Sequence, residues 1–208
     1  MAGYSGSSLG RYGYAGMIMP ISSPHLYKDG WLLRLGIAHS TFNYLSLAGQ
    51  DIHGTSRELE ASVGYLAYLG DRNNRLSVYL GGVYRDARLS PDDPFSQIEE
   101  KHKGIRVQGD LFLRPVTEID FSIMGSRTAN LGDKWLRLRA GYVFAERIVL
   151  GPELQYIRGT DYERRRVGLA LENISLGRHA QLTISAGRER DRVSGTSGYA
   201  GASLVGWF

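Results

Sequence analysis

The chain contains one serine that directly follows a histidine, His39–Ser40, the residue types of a base-activated nucleophile for acyl transfer or hydrolysis. That chemistry needs both side chains within hydrogen-bond reach. The pair lies in a segment of alternating polarity, where consecutive side chains leave opposite faces of a strand, so it does not form a catalytic couple. The remaining histidines, His25, His53, His102 and His179, fall in loops or turns with no ligand spacing, and no cysteine is present to supply a thiolate site or a disulfide. Asp92, Asp93, Glu99 and Glu100 share the longest loop. They could hold a divalent cation together with lipopolysaccharide phosphates, or simply solvate the loop. No catalytic residue, cofactor or metal site is expected.

Arginines and carboxylates at every second position carry more information. In RLSVYLGGVY, Leu76, Val78, Leu80 and Tyr84 share one face and Ser77, Tyr79, Gly81 and Arg85 the other. In GIRVQGDLFLR, Ile105, Val107, Leu111 and Leu113 oppose Arg106, Gln108, Asp110 and Arg114. In WLRLRAGYVF, Leu136, Leu138, Ala140, Tyr142 and Phe144 oppose Arg137, Arg139, Gly141 and Val143. This period of two is the signature of a strand with two unlike faces. Comparable segments fall at 10–20, 31–45, 57–70, 119–127, 148–158, 165–175, 180–191 and 198–208, with a short one at 2–7.

Such strands suit a soluble sandwich or lipocalin-like barrel as well as a membrane barrel. The polar face decides between them. It is rich in Gly, Ser, Arg and Glu and poor in Lys, while the apolar face carries Trp31, Tyr65, Tyr84, Trp135, Tyr142, Tyr156 and Phe208 near strand ends. Rings of that kind suit a headgroup boundary, wet on one side and apolar on the other. No run of apolar residues is long enough for a spanning helix, and a mean hydropathy of −0.25 is what alternation gives. The 25 basic and 21 acidic residues are interspersed, which gives no nucleic-acid signal. MAGYSGSS lacks the charged-then-apolar pattern of a secretory signal, so 1–208 reads as one mature domain.

Tight connections (GDRNN, RPVTE, FAERI, LGRHA) take turns with longer ones (LAGQDIHGTSR, LSPDDPFSQIEEKH, RTANLGDK, IRGTDYE, RVSGTSG). Tight periplasmic turns and longer external loops are the plan of an antiparallel up-and-down transmembrane β-barrel of the Gram-negative outer membrane. An even strand count then requires 2–7 as a strand, for about 12, with about 10 if that hairpin lies outside the wall. The terminal aromatic, Phe208, falls at the periplasmic rim below outward Ala200, Ala202, Leu204 and Gly206.

Parity turns Arg34, Glu58, Glu60, Arg85, Arg106, Asp110, Arg114, Asp120, Arg137, Arg139, Glu153, Arg166 and Glu172 inward, with Tyr68, Tyr79 and Phe112. A turn centred near Glu146 sets Arg139 opposite Glu153, close enough for an ion pair. Two readings stand for this face: charges that brace the wall by satisfying one another, or a polar lumen that recognises or conducts a solute. The candidate network and glycan contacts are Arg106, Asp110, Arg137, Arg139, Glu153, Arg166, Glu172 and Tyr79.

RYGYAG, KDGWLLRL, LSPDDP and LRLRAGYVF followed by GPELQYIRGTDYERRRVG, with the Gly-rich last strand, together resemble the BcsS family of bacterial cellulose-biosynthesis proteins. The resemblance runs in order over nearly the whole chain. SPDDP and AGY…GPE…Y…R.G are its more specific pieces, and Arg137, Arg139, Gly151, Pro152, Glu153, Tyr162 and Arg166 form the family-like patch. It implies a non-enzymatic outer-membrane protein of cellulose (exopolysaccharide) synthesis or secretion, channel or scaffold. The implied partners are outer-membrane lipid and lipopolysaccharide, cellulose or cello-oligosaccharide, and other secretion components. The alternatives are a small solute-selective porin and an outer-membrane lipid-modifying enzyme. Pro152 cannot donate to a ladder, so a local irregularity is expected there.

Overall fold

A computed structural model describes residues 1–22, 28–46, 49–93, 96, 100–144, 148–159, 162–192 and 195–207. Every regular element in it is a strand: β1 Ala2–Ser7, β2 Gly10–Pro20, β3 Gly30–Leu45, β4 Asp51–Tyr68, β5 Arg75–Ser90, β6 Glu100–Val116, β7 Ile119–Thr128, β8 Lys134–Phe144, β9 Ile148–Arg158, β10 Glu163–Ser175, β11 Ala180–Asp191 and β12 Gly195–Gly206. Each pairs antiparallel with its sequence neighbours, and β1 pairs with β12, which closes a barrel and leaves no free edge. The short first strand is therefore the closing strand, and the count is twelve.

The faces segregate as the dyad requires. Along β4 the burial alternates without a break from Asp51 to Val63, and Leu59, Val63 and Tyr65 point outward. Leu80, 60% exposed, shows what most outward leucines, isoleucines and valines do: they form an unpartnered apolar band around the barrel. Trp31 and Tyr65 meet edge to face at 5.4 Å on the outside, at the end that also carries both chain termini. Trp135, expected among the outward aromatics, shares its parity with Arg137 and Arg139 instead. It turns inward, with the Arg137 guanidinium 5.4 Å from its ring.

Several boundaries differ from the sequence expectation, for one reason: alternation continues into stretches read as loops. β4 starts at Asp51, six residues earlier than expected, because buried Ile52, Gly54 and Ser56 continue the inward series. His53 thus sits outward on β4 and His102 inward on β6, neither in a loop, whereas His179 does lie in a turn. β3 to β6, with 16, 18, 16 and 17 residues, stand taller than β7 to β12, and this raises one side of the wall at the end away from the termini. RVSGTSG shrinks to a tight connection, because Asp191 still pairs with Gly195. On the tall side the Tyr44 hydroxyl donates to the buried Asp93 carboxylate at 2.9 Å. His25, Glu99, Glu146, Phe208 and the Glu100 side chain lie outside what is described.

Inside, the polar face is interrupted by an apolar layer near the termini end, Leu32, Leu66 and Tyr79 with Ile18 and Tyr68 against them, and by buried Ile52, Val83, Ala87 and Leu89 farther toward the other end. At Pro152 the predicted irregularity takes a mild form. The β8–β9 ladder lapses between Arg139↔Glu153 and Tyr142↔Leu150, then resumes in the same register.

Candidate functional site: the charged barrel interior

Two groups of inward side chains are tied into networks, one on each half of the wall. In the first, Glu58 and Glu60 stand two residues apart on β4, so both face inward. Arg106 reaches them from β6: its Nη1 donates to Glu58 Oε1 at 2.7 Å and to Glu60 Oε2 at 2.8 Å, and its Nε donates to Thr128 Oγ1 at 2.9 Å. The guanidinium must cross over β5 to do so. Its register partner on that strand is Gly81, which is paired with both Ser62 and Arg106 and presents no side chain inward. Arg85 donates to Glu58 at 2.8 Å and to Asp133, and Arg34 Nε lies 3.4 Å from Glu60. Two carboxylates are thus held by three arginines.

The second network begins at the β8–β9 pair. Arg139 and Glu153 are register partners and form an ion pair, and Arg139 Nη1 also donates to Glu172 Oε2 at 2.7 Å. Glu153 is 0% exposed and takes two more donors, Gln155 Nε2 at 2.6 Å and Tyr199 Oη at 3.1 Å. Tyr199 comes from β12, and its ring reaches β9 by lying across β11 and β10. Gly187 and Gly168 permit this, since a Cβ at either would sit within 2.9 Å or less of the ring or its hydroxyl. Arg166 pairs with Glu189, also 0% exposed, which accepts from Ser7 Oγ at 2.7 Å, and the Arg166 guanidinium lies 5.0 Å from the Tyr199 ring.

Smaller pairs brace the two ends. Arg114 grips Asp120 with two donors, at 2.7 and 2.5 Å, near the termini. At the opposite end Arg164 donates to Asp191 at 3.0 Å and to Leu9 O at 3.2 Å. There burial pushes the Tyr162 phenol up to about 12, so it stays a neutral group beside Arg164, 5.7 Å from its ring.

Of the residues singled out from the sequence, Arg106, Arg139, Glu153, Arg166 and Glu172 belong to these networks. Asp110 is buried and, among the described residues, accepts from Gln108 at 3.0 and 3.2 Å. Arg137 meets no carboxylate among the described residues; one Nη2 lies 2.6 Å from Met124 Sδ, and its Nε is buried without a hydrogen-bond partner. Tyr79, 3% exposed, is enclosed by the apolar layer with the Arg34 guanidinium 5.6 Å away, so it offers no open ring. Among the described residues the exposed inward aromatic is Tyr12 on β2, 44% exposed and 5.9 Å from Tyr14. Its parity within RYGYAG was readable, but its neighbours Arg11 and Gly13, both outward, carry no apolar side chain to mark the contrast. Glu189 was likewise readable, flanked as it is by outward Arg188 and Arg190, whereas Asp133 follows a turn and has no parity to read. His39 points outward and Ser40 inward, as alternation requires.

From β11 to β1, between the level of Glu189 and Tyr199 and that of Gln181 and Val205, the inward positions are small: Thr183, Ser185, Gly201, Ser203, Gly3 and Ser5, with the Tyr14 ring lying over Gly3. The interior therefore combines braced, salt-bridged networks with a short strip of hydroxyls from β11 to β1.

Solved structures of the same fold include the KdgM porin (TM-score 0.53, 11% identity, covering 100% of this chain and 98% of that one). The transport unit of the autotransporter AIDA-I from Escherichia coli is also similar (TM-score 0.57, 9% identity, 100% and 88% covered). So is the KdgM porin in complex with disordered oligogalacturonate (TM-score 0.52, 12% identity, 100% and 99% covered). At these identities the likeness is one of fold. No curated protein sequence matches the chain. The family model of the cellulose biosynthesis protein BcsS, by contrast, matches residues 2–208, and the chain belongs to that family.

Proposed function

We propose that this chain is a non-enzymatic outer-membrane barrel of Gram-negative cellulose secretion, with a narrow polar lumen that admits a glucan chain. Family membership supplies the cellulose link. The observation that carries the rest is the division of faces: a continuous outward band of aliphatic side chains around an interior of paired charges. In water that band would be an exposed apolar surface far larger than soluble proteins tolerate; in a bilayer it is the ordinary lipid face. Both termini then lie at the periplasmic end. A barrel of about 12 strands falls between those filled by side chains and those with a wide aqueous channel. Paired arginines and carboxylates narrow it, and Tyr12, Arg137 and the hydroxyl strip from β11 to β1 are left to meet a sugar, the ring stacking on an apolar pyranose face.

Planar-bilayer recording tests this reading. The barrel should show a small single-channel conductance that cello-oligosaccharides block, and Tyr12→Ala should weaken that blockade severalfold. No current and no blockade would leave a scaffold role only. Conductance indifferent to glucans would favour a solute-selective porin, a reading to which the porin-like fold lends support.

A further inference from the structure

At the end away from the termini the outward face changes from apolar to cationic. Arg127 on β7 pairs directly with Lys134 on β8, and Lys134 pairs with Arg158 on β9. Arg165 on β10 pairs directly with Arg190 on β11. All five are exposed on the outer surface. Like charges set opposite one another destabilise a sheet, and Glu163, the register partner of Arg158, is the one carboxylate among the described residues set directly opposite any of the five. Arg165 has Glu163 at 2.8 Å; no ion pair among the described residues reaches the other four.

Directly below the row, toward the termini, the same strands form a groove. Leu136, Leu138, Leu154, Tyr156, Arg165 and Val167 line a space of about 210 Å³ on the outer surface. The Arg165 guanidinium lies 5.9 Å from the Tyr156 ring and roofs it. Each cation on β8, β9 and β10 is two residues from an apolar groove residue on its own strand: Lys134 from Leu136, Arg158 from Tyr156, Arg165 from Val167. With strands about 4.8 Å apart, the row from β7 to β11 extends roughly 19 Å. One phosphate cannot meet cations spread so far; a headgroup carrying phosphates at separate positions can.

We propose that this face binds one phosphorylated, multiply acylated glycolipid of the outer leaflet, its phosphates on Arg127, Lys134, Arg158 and Arg190 and an acyl chain in the groove. The inference rests on the outer-membrane placement above and adds to it a lipid class and the residues that select it. Arginine and lysine supply charge-assisted hydrogen bonds to phosphate oxygens, and the groove gives one acyl chain closer van der Waals contact than the flat wall beside it.

Native mass spectrometry of the folded full-length barrel, titrated with bisphosphorylated lipid A, phosphate-free lipid A or phosphatidylglycerol, tests it. The wild type should retain one bisphosphorylated lipid A in preference to the other two. The triple variant Arg127→Gln, Lys134→Gln, Arg158→Gln should bind it roughly 100-fold more weakly, at about fivefold per cation. Arg57→Gln with Arg88→Gln, outward cations on the opposite wall, should bind as the wild type does. Circular dichroism and heat-shifted gel migration show that each variant is folded. Equal affinity of wild type and triple variant, or equal affinity for lipid with and without phosphates, overturns the site, and phosphatidylglycerol binding as well as lipid A overturns the lipid class. Membrane fractionation is read separately: a barrel found in the outer membrane whose triple variant keeps its lipid loses this site alone, whereas absence from that membrane overturns the placement too.

Discussion

An Arg139→Met barrel should be less stable by about 3–5 kcal/mol, because the substitution strands a buried carboxylate. Glu153 has no exposure, and although Gln155 and Tyr199 continue to donate to it, neither carries a positive charge. Arg139 also holds Glu172, so two anions lose their cation at once. Adding Glu153→Leu to Arg139→Met should restore most of the loss, since removing both members of a buried pair is far cheaper than removing one. Urea unfolding of the barrel refolded in lipid vesicles, followed by tryptophan fluorescence, measures both. A single-variant loss below about 1 kcal/mol would mean that water reaches Glu153 and that the lumen is open there, not braced.

The second large effect concerns the outer surface. Leu80 projects from the middle of β5 between the Trp31–Tyr65 level and Tyr84. Leu80→Arg should cost about 2–4 kcal/mol of folding stability in vesicles, the penalty of a charge near the bilayer midplane. Thr55→Arg, also outward but in register with Thr41 and Arg88 near the rim, should cost only about 0–1 kcal/mol. In a water-soluble barrel the two would be alike, and the arginine at 80 would improve solubility.

Much of this architecture was legible because a strand with unlike faces writes itself into the sequence at period two. Alternation placed the strands, and matching the outward faces of β8 and β9 fixed the register that brings Arg139 to Glu153. Three kinds of feature were not legible. Where alternation passes through Gly, Ser and Thr, as from His53 to Ser56, the polarity contrast fades and strand reads as loop. Where an apolar residue turns inward, as Leu32, Leu66 and Trp135 do, hydrophobicity alone assigns the wrong face, and only parity with the neighbouring arginines corrects it. Contacts that jump a strand have no local signature at all. Arg106 reaches Glu58 and Glu60 across β5, and Tyr199 reaches Glu153 over Gly187 and Gly168, glycines on separate strands that line up once the barrel closes. The outward cationic row is of the same kind: Arg127, Lys134, Arg158, Arg165 and Arg190 become neighbours only through register.

The absence of cysteine from the chain makes the most direct test available, since each introduced cysteine is unique. Cysteines placed one at a time from 105 to 113, labelled with a fluorophore in the folded barrel and exposed to brominated lipid, should be quenched with a period of two. Positions 105, 107, 111 and 113 should be strongly quenched, and 106, 108, 110 and 112 should be spared. Quenching at the even positions, or none at any, would contradict the division of an outward lipid face from an enclosed ionic interior.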